Sequence, residues 1–105
     1  MENLELYKEI ISLCSEIELK GKNMLYTSNN GHMFSQLNKA GEIGMRFSEK
    51  RKEELLEELN TTPFTSYGSI MKGYVKIPET YLSNISELAY LLQESHKYVL
   101  SLEPK

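Results

Sequence analysis

The chain has 105 residues and a formal net charge of −3, with 40% hydrophobic and 26% charged residues. This length gives one domain, able to bury roughly two thirds of its unfolded-chain surface, and the composition excludes wholesale disorder. Domains that grip nucleic-acid phosphates usually carry a net basic surface, so the acidic balance argues against that class.

The cysteine content, the absence of a long apolar run and the N-terminal residues all indicate where the protein is located. The only cysteine is Cys14, so an internal disulfide is excluded, and no run of about 18 apolar residues exists to cross a membrane. The first residues, Met1-Glu2-Asn3-Leu4-Glu5, are acidic where a signal peptide is basic and then apolar. We expect a cytoplasmic protein without a membrane partner.

The first predicted element is an amphipathic helix from Asn3 to about Ile17. Its apolar residues recur at intervals of three and four, with glutamates and lysines elsewhere on the helical wheel. Asn3 is the expected cap, because its side-chain oxygen can accept a hydrogen bond from the free donors of the first turn.

Three strands are predicted next. Residues 22–28 and 32–38 flank Asn29-Asn30-Gly31, and an Asn-Gly pair tolerates the positive φ values of a tight hairpin. A third strand covers residues 42–47, where Ile43, Met45 and Phe47 alternate with Gly44 and Arg46.

A charged helix follows over residues 49–59, capped by Ser48 and ended before Pro63. A weak fourth strand near residues 64–67 turns at Tyr67-Gly68-Ser69 into a fifth strand. In that strand Met71, Val75 and Ile77 alternate with polar positions, the period of a strand buried on one face.

The last helix is predicted from Asn84 to about Leu100. Asn84-Ile85-Ser86-Glu87 has the form of a capping box, and apolar residues continue a helical face beyond it. The predicted fold class is therefore α+β, a two-layer single domain over residues 1–105. Its order is α-β-β-β-α-β-β-α, with a mainly antiparallel five-stranded sheet and helices on one face.

With this order established, the residues resemble the N-terminal domain of the TfoX/Sxy competence-regulator family. The likeness is carried by Gly31-His32-Met33-Phe34, Gly44-Met45-Arg46-Phe47-Ser48, Pro63-Phe64, Gly68-Ser69-Ile70-Met71-Lys72-Gly73-Tyr74-Val75 and an ending similar to the family's SL-x-PK, Ser101-Leu102-Glu103-Pro104-Lys105. The resemblance implies a two-layer α+β domain like the secretion-chaperone fold, often dimeric, with no catalytic residues to carry over.

Two departures limit the resemblance. The family usually has Met-Phe-Gly-Gly on its first strand, where this chain reads Met24-Leu25-Tyr26-Thr27. The full-length regulators also carry a helical C-terminal domain, and we expect a stand-alone domain here. Their transcriptional role is therefore an alternative, not the leading hypothesis.

Residues suited to catalysis or metal binding are few. The chain has two histidines, His32 and His96, one cysteine and no aspartate. No ligand pair has the short spacing of zinc sites, and Cys14 lies on an apolar helix face where a thiol packs as a small hydrophobe. The acidic run Glu53, Glu54, Glu57 and Glu58 fits a solvated helix face. We expect no enzyme activity, no cofactor and no metal.

A basic set could contact nucleic acid or an acidic partner. Arg46, Lys72 and Lys76 point to the non-core sides of their strands beside Tyr74. Cations interleaved with an aromatic ring hold single-stranded nucleic acid, although lysines also protect exposed sheet edges.

The first two strands carry apolar groups on both sides. Met24, Tyr26, Phe34 and Tyr74 would then form a patch on the sheet face left open by the helices. Two other interpretations stay open: the first helix covers these residues, or a strand register is wrong by one residue, which would invert every face.

The leading hypothesis is a non-catalytic interaction or regulatory domain that forms a homodimer through this sheet face. The first alternative is a transcription-associated regulator that contacts nucleic acid or a transcription factor. The second is a small-ligand-binding or catalytic domain, which would require Cys14, His32 and His96 to converge in a pocket.

Overall fold

The computed structural model describes residues 2–105 and confirms the predicted α+β fold and element order. The elements are α1 (Leu4–Ser12), β1 (Tyr26–Asn29), β2 (His32–Leu37), β3 (Ile43–Arg46), α2 (Glu49–Glu58), β4 (Pro63–Ser66), β5 (Ser69–Lys76), a short 3-10 helix (Glu79–Tyr81) and α3 (Ile85–Leu100). Within residues 2–105, no helix is long and apolar enough to span a membrane.

The five strands form one antiparallel sheet in the order β1-β2-β3-β5-β4. Two tight turns close its hairpins, Asn30-Gly31 between β1 and β2 and Tyr67-Gly68 between β4 and β5. All four turn residues have positive φ, which is the backbone of the type I′ turn that matches the twist of paired strands.

One face of the sheet packs against the helices. Thr27, Ser35, Met45 and Val75 lie side by side across four strands and are fully buried. The Tyr7 hydroxyl of α1 hydrogen-bonds Ser35 Oγ at 2.7 Å, so the buried polar row is satisfied from the helix layer. Apolar side chains of α1, α3 and the strands complete the core around this row.

The predicted caps have mixed outcomes. Ser48 accepts a hydrogen bond from the Arg51 backbone N–H at 3.2 Å, as predicted. Asn3 does not cap α1, because its side chain instead donates to the Gly41 carbonyl at 2.7 Å. Asn84 precedes α3 but makes no side-chain capping bond, so the predicted capping box is also wrong.

Phe34 lies on the helix face, contrary to its assignment by simple alternation. Thr27 pairs with Ser35 and the next residue, Ser28, pairs with Met33, so Phe34 is an extra residue in β2. Such a β-bulge breaks the period of two and re-aims the side chain. Phe34 is 1% exposed and stacks on the His96 ring of α3 at a centroid distance of 5.2 Å.

On the opposite face of the sheet, the region around Gly44 and Tyr74 is covered by Phe64 of β4. The Phe64 ring lies on Gly44, where an added Cβ would be 2.3 Å from ring carbons. Phe64 also contacts Tyr74 at a ring-centroid distance of 6.0 Å, and both are buried. The Asn38 side chain donates to the Thr65 carbonyl at 2.8 Å, which fixes β4 in this curled position.

Candidate interaction surface

The predicted open sheet face is not available as an interface. Phe34 is buried through the bulge and Tyr74 is buried beneath Phe64, with its hydroxyl donating to the Met33 carbonyl at 2.9 Å. Met24 and Tyr26 are half-buried. The expectation that these four residues form an exposed patch is therefore wrong. Phe34 is turned by a one-residue shift of register in β2, and Tyr74 is covered by Phe64 of β4 and not by the first helix.

The predicted basic residues do not form one free patch. The Arg46 guanidinium lies over the Tyr98 ring at 5.7 Å, and Lys76 Nζ is 3.3 Å from a Glu42 carboxylate oxygen. Lys72 is exposed on β5. Two of the three cations thus have partners within the chain, and Lys72 points into solvent.

The structure brings together two of the three residues considered for chemistry. Cys14 and His96 line a groove of about 330 Å³ between residues 14–17, which follow α1, and α3. His32 lies elsewhere, where its Nε2 donates to the Glu103 carbonyl at 2.8 Å. Within residues 2–105, no cluster of three His, Cys, Asp or Glu side chains could hold a metal ion.

The geometry around Cys14 disfavours a nucleophile. Its thiol points to the Ile10 and Ala89 carbonyls at 3.5 and 3.7 Å, and burial raises the pKa of the Cys14 thiol. His96 is occupied by the Asn29 side chain at 3.0 Å from its Nε2. The raised thiol pKa and the Asn29 contact at His96 both disfavour an activated cysteine at this position.

The acidic run on α2 is largely solvated, as predicted. Its carboxylates point outward, and Arg51 is within 3.4 Å of Glu54 and 3.0 Å of Glu58. The same guanidinium reaches Glu94 of α3 at 2.8 Å, and this hydrogen bond raises the pKa of Arg51. The ion pairs of Arg51 therefore link α2 to α3.

The most exposed apolar residues in the sheet lie on residues 65–72, which we call the projecting hairpin. Tyr67 is 77% exposed and Ile70 is 69% exposed. The strand β5 pairs with β3 from Tyr74 to Lys76, and the Phe47 N–H extends this pairing to the Gly73 carbonyl at 3.0 Å. Residues 69–72, the first half of β5, extend beyond β3 and pair with β4 alone. Alternation predicted Met71 in the core, but Met71 is half-buried because β3 does not extend alongside this part of β5.

The turn of the projecting hairpin has an unfavourable residue. Tyr67 and Gly68 have φ values of 55° and 76°, close to the 58° and 80° of Asn30 and Gly31 in the other hairpin. Asparagine suits the left-handed region because its short polar side chain bonds locally, whereas tyrosine has no such compensation. The Asn30 side chain donates to the carbonyl of Val99, in the last turn of α3, at 3.0 Å and to that of Leu102, just beyond the helix, at 2.8 Å.

Within the described chain, the Tyr67 side chain makes no hydrogen bonds of the kind that Asn30 makes. Among residues 2–105 its side chain has no hydrogen-bond or aromatic partner, and the turn leaves open space around Gly68. The backbone strain is therefore not offset by packing inside the chain. The Tyr-Gly pair was visible in the sequence, but its exposure depends on how far β3 extends.

Charge distinguishes the projecting hairpin from the rest of the molecule. Residues 60–78 contain no aspartate or glutamate, in a chain with 15 acidic residues. The hairpin thus presents an aromatic side chain, a branched apolar side chain and the cation Lys72 on a carboxylate-free stretch. Aromatic and apolar groups of this kind are enriched in the centres of protein interfaces.

Comparison of the chain with protein-family models, with curated proteins and with solved structures finds no match.

Proposed function

We propose that this chain is a non-catalytic interaction domain that associates with a second copy of itself through the projecting hairpin. The observation that carries the proposal is Tyr67, a strained turn residue that is 77% exposed. Strain that the surrounding structure does not compensate is a reason to look for function at that residue. Contact with a second copy would bury the ring and supply the missing compensation.

Two further observations support this proposal. Ile70, three residues further along the same hairpin, is 69% exposed, so the hairpin presents two exposed apolar side chains. The thiol of Cys14 and the ring of His96 are engaged with other groups, which favours a binding role over catalysis. The resemblance to the TfoX N-terminal domain also favours a regulatory domain that acts as a homodimer in the cytoplasm.

The test is the mass in solution by light scattering, over about 1 to 100 μM, which brackets weak and moderate association. Tyr67→Ser should weaken association at least about tenfold, because truncating an aromatic anchor typically removes more than 1.4 kcal/mol of binding energy. The matched control is Tyr90→Ser on α3, where a tyrosine of similar exposure, 71%, should be dispensable. Equal dissociation constants for the two variants would refute the hairpin as the contact surface.

A second candidate function is contact with nucleic acid or another acidic partner. It is favoured by the absence of carboxylates from residues 60–78 and by the exposure of both Lys72 and Tyr67, a cation and a stacking ring on one hairpin. The measurement is fluorescence anisotropy with a labelled single-stranded oligonucleotide at several salt concentrations. Binding that weakens with salt and is lost in Lys72→Gln would support this function, and no binding at low salt would exclude it.

A further inference from the structure

We infer that the second copy adds to the sheet as a strand, pairing antiparallel with the exposed edge of residues 69–72. This inference rests on the proposed self-association and specifies how the two copies meet. It predicts that backbone hydrogen bonds, and not only the side chains of Tyr67 and Ile70, hold the dimer together.

The edge of β5 is open at this point. In a two-residue hairpin the residues that flank the turn, here Ser66 and Ser69, form the pair that exchanges both backbone bonds. The next residue, Ile70, therefore directs its N–H and C=O away from β4. On that side of β5 the backbone pairing extends only to Gly73, whose carbonyl accepts from the Phe47 N–H at 3.0 Å, so the two groups of Ile70 face no strand of the described chain.

Other edges of the sheet are protected. Lys20 exchanges backbone hydrogen bonds with Tyr26 at 2.9 and 3.0 Å, which covers part of the outer edge of β1. The strand β4 begins with Pro63, which has no N–H to donate. Proteins usually block exposed edges with such devices or with lysines. The edge at residues 69–72 has one of these, Lys72 at its end, and presents an exposed isoleucine beside it.

The segment is complementary to itself. A two-fold axis at Ile70 would let Ile70 of each copy exchange both backbone bonds and place the two side chains in contact. Lys72 would then lie opposite the second copy's Gly68, where the chain leaves open space for the lysine stem. The two Lys72 residues would be offset by about 13 Å along the strands, beyond the screening length of about 8 Å.

Charge therefore permits this pairing. Residues 69–72 contain no carboxylate, so no negative charges repel each other across the pair. Their single cation, Lys72, would lie opposite a glycine of the second copy and not opposite another cation. Two copies related by a two-fold axis form a closed dimer, because each uses the same edge and no free edge of this kind remains. Strand addition of this type is a common mode of peptide recognition.

The experiment compares Ile70→Pro with Ile70→Ala in sedimentation equilibrium. Both variants lose the isoleucine side chain, but only proline removes the N–H that points to the second copy. We expect alanine to weaken the dimer several-fold and proline to weaken it at least about tenfold more, since both copies lose a bond. Equal effects would overturn strand pairing and leave the hairpin proposal standing, and no effect of either variant would overturn both.

Amide hydrogen exchange of the wild type gives an independent result if the proline variant does not fold. The Ile70 amide should exchange at least about tenfold more slowly at a concentration above the dissociation constant than below it. The Tyr90 amide, within α3, is the internal reference and should not change. An Ile70 exchange rate that does not depend on concentration, in a sample whose mass shows the dimer, would overturn the inference.

Discussion

Replacing Tyr67 with asparagine should make the monomer more stable. The φ of 55° at Tyr67 matches the 58° at Asn30, so Tyr67→Asn installs in the second hairpin the residue found in the first. A left-handed conformation costs an ordinary residue on the order of 1 kcal/mol more than it costs asparagine. Because Tyr67 is 77% exposed, little packing is lost to offset this gain.

The assay is urea unfolding at about 1 μM, where weak association contributes little. A gain of about 1 kcal/mol would raise the midpoint by about 0.5 M for a domain of this size. Tyr67→Phe is the control, because it keeps the strained backbone and an aromatic ring and should leave the midpoint unchanged. A midpoint that falls in Tyr67→Asn would mean that the ring packs within the chain and would refute the reasoning.

Three further predictions test the fold. Gly44→Ala should cost about 3 kcal/mol or more in urea unfolding, because the added Cβ would lie 2.3 Å from the Phe64 ring. A second substitution, Phe64→Leu, should recover part of this loss, whereas losses of the two single variants that simply add in the double variant would contradict the contact. Asn30→Gly keeps the positive φ but removes two side-chain hydrogen bonds, to the carbonyls of Val99 in α3 and of Leu102 just after it. Thermal unfolding should show a loss of about 1 to 2 kcal/mol in stability, and an unchanged midpoint would mean that these bonds contribute nothing. A hydrogen bond from Asn38 and the neighbouring Lys76 lower the pKa of the Glu42 carboxyl. The carboxylate therefore contributes stability above the ordinary carboxyl pKa, and this stability is lost as pH falls through the lowered pKa of the folded state. Glu42→Gln should flatten the acid side of the curve of unfolding free energy against pH, and parallel curves for variant and wild type would exclude this role of Glu42.

The sequence carried enough information for the element order and the fold class. Periods of two and of three to four residues are local signals, and so is the cap at Ser48. The end of α1 was less predictable, because apolar residues beyond Ser12, such as Cys14 and Ile17, continue the period although they pack from a non-helical segment. Periodicity reports which residues are buried more reliably than it reports their backbone conformation.

The candidate interface could not be located from sequence, for two physical reasons. One extra residue in β2 turned Phe34 to the helix face, and alternation has no means of marking a bulge. Tyr74 is covered by Phe64, whose position depends on β4 curling over Gly44, a contact between distant parts of the chain. The exposed surface at Tyr67 likewise depends on where β3 stops pairing with β5.

The most direct test of the central claim is the dimer dissociation constant of Tyr67→Asn beside that of the wild type, measured by sedimentation equilibrium. The account predicts that the wild-type mass rises from 12.1 kDa toward twice that value with concentration. The variant should be the more stable monomer, because asparagine relieves the backbone strain at residue 67. It should nevertheless associate at least about tenfold more weakly, because it lacks the Tyr67 ring that anchors the dimer. A wild-type mass of 12.1 kDa at about 100 μM, or a variant that dimerises as tightly as the wild type, would contradict the account.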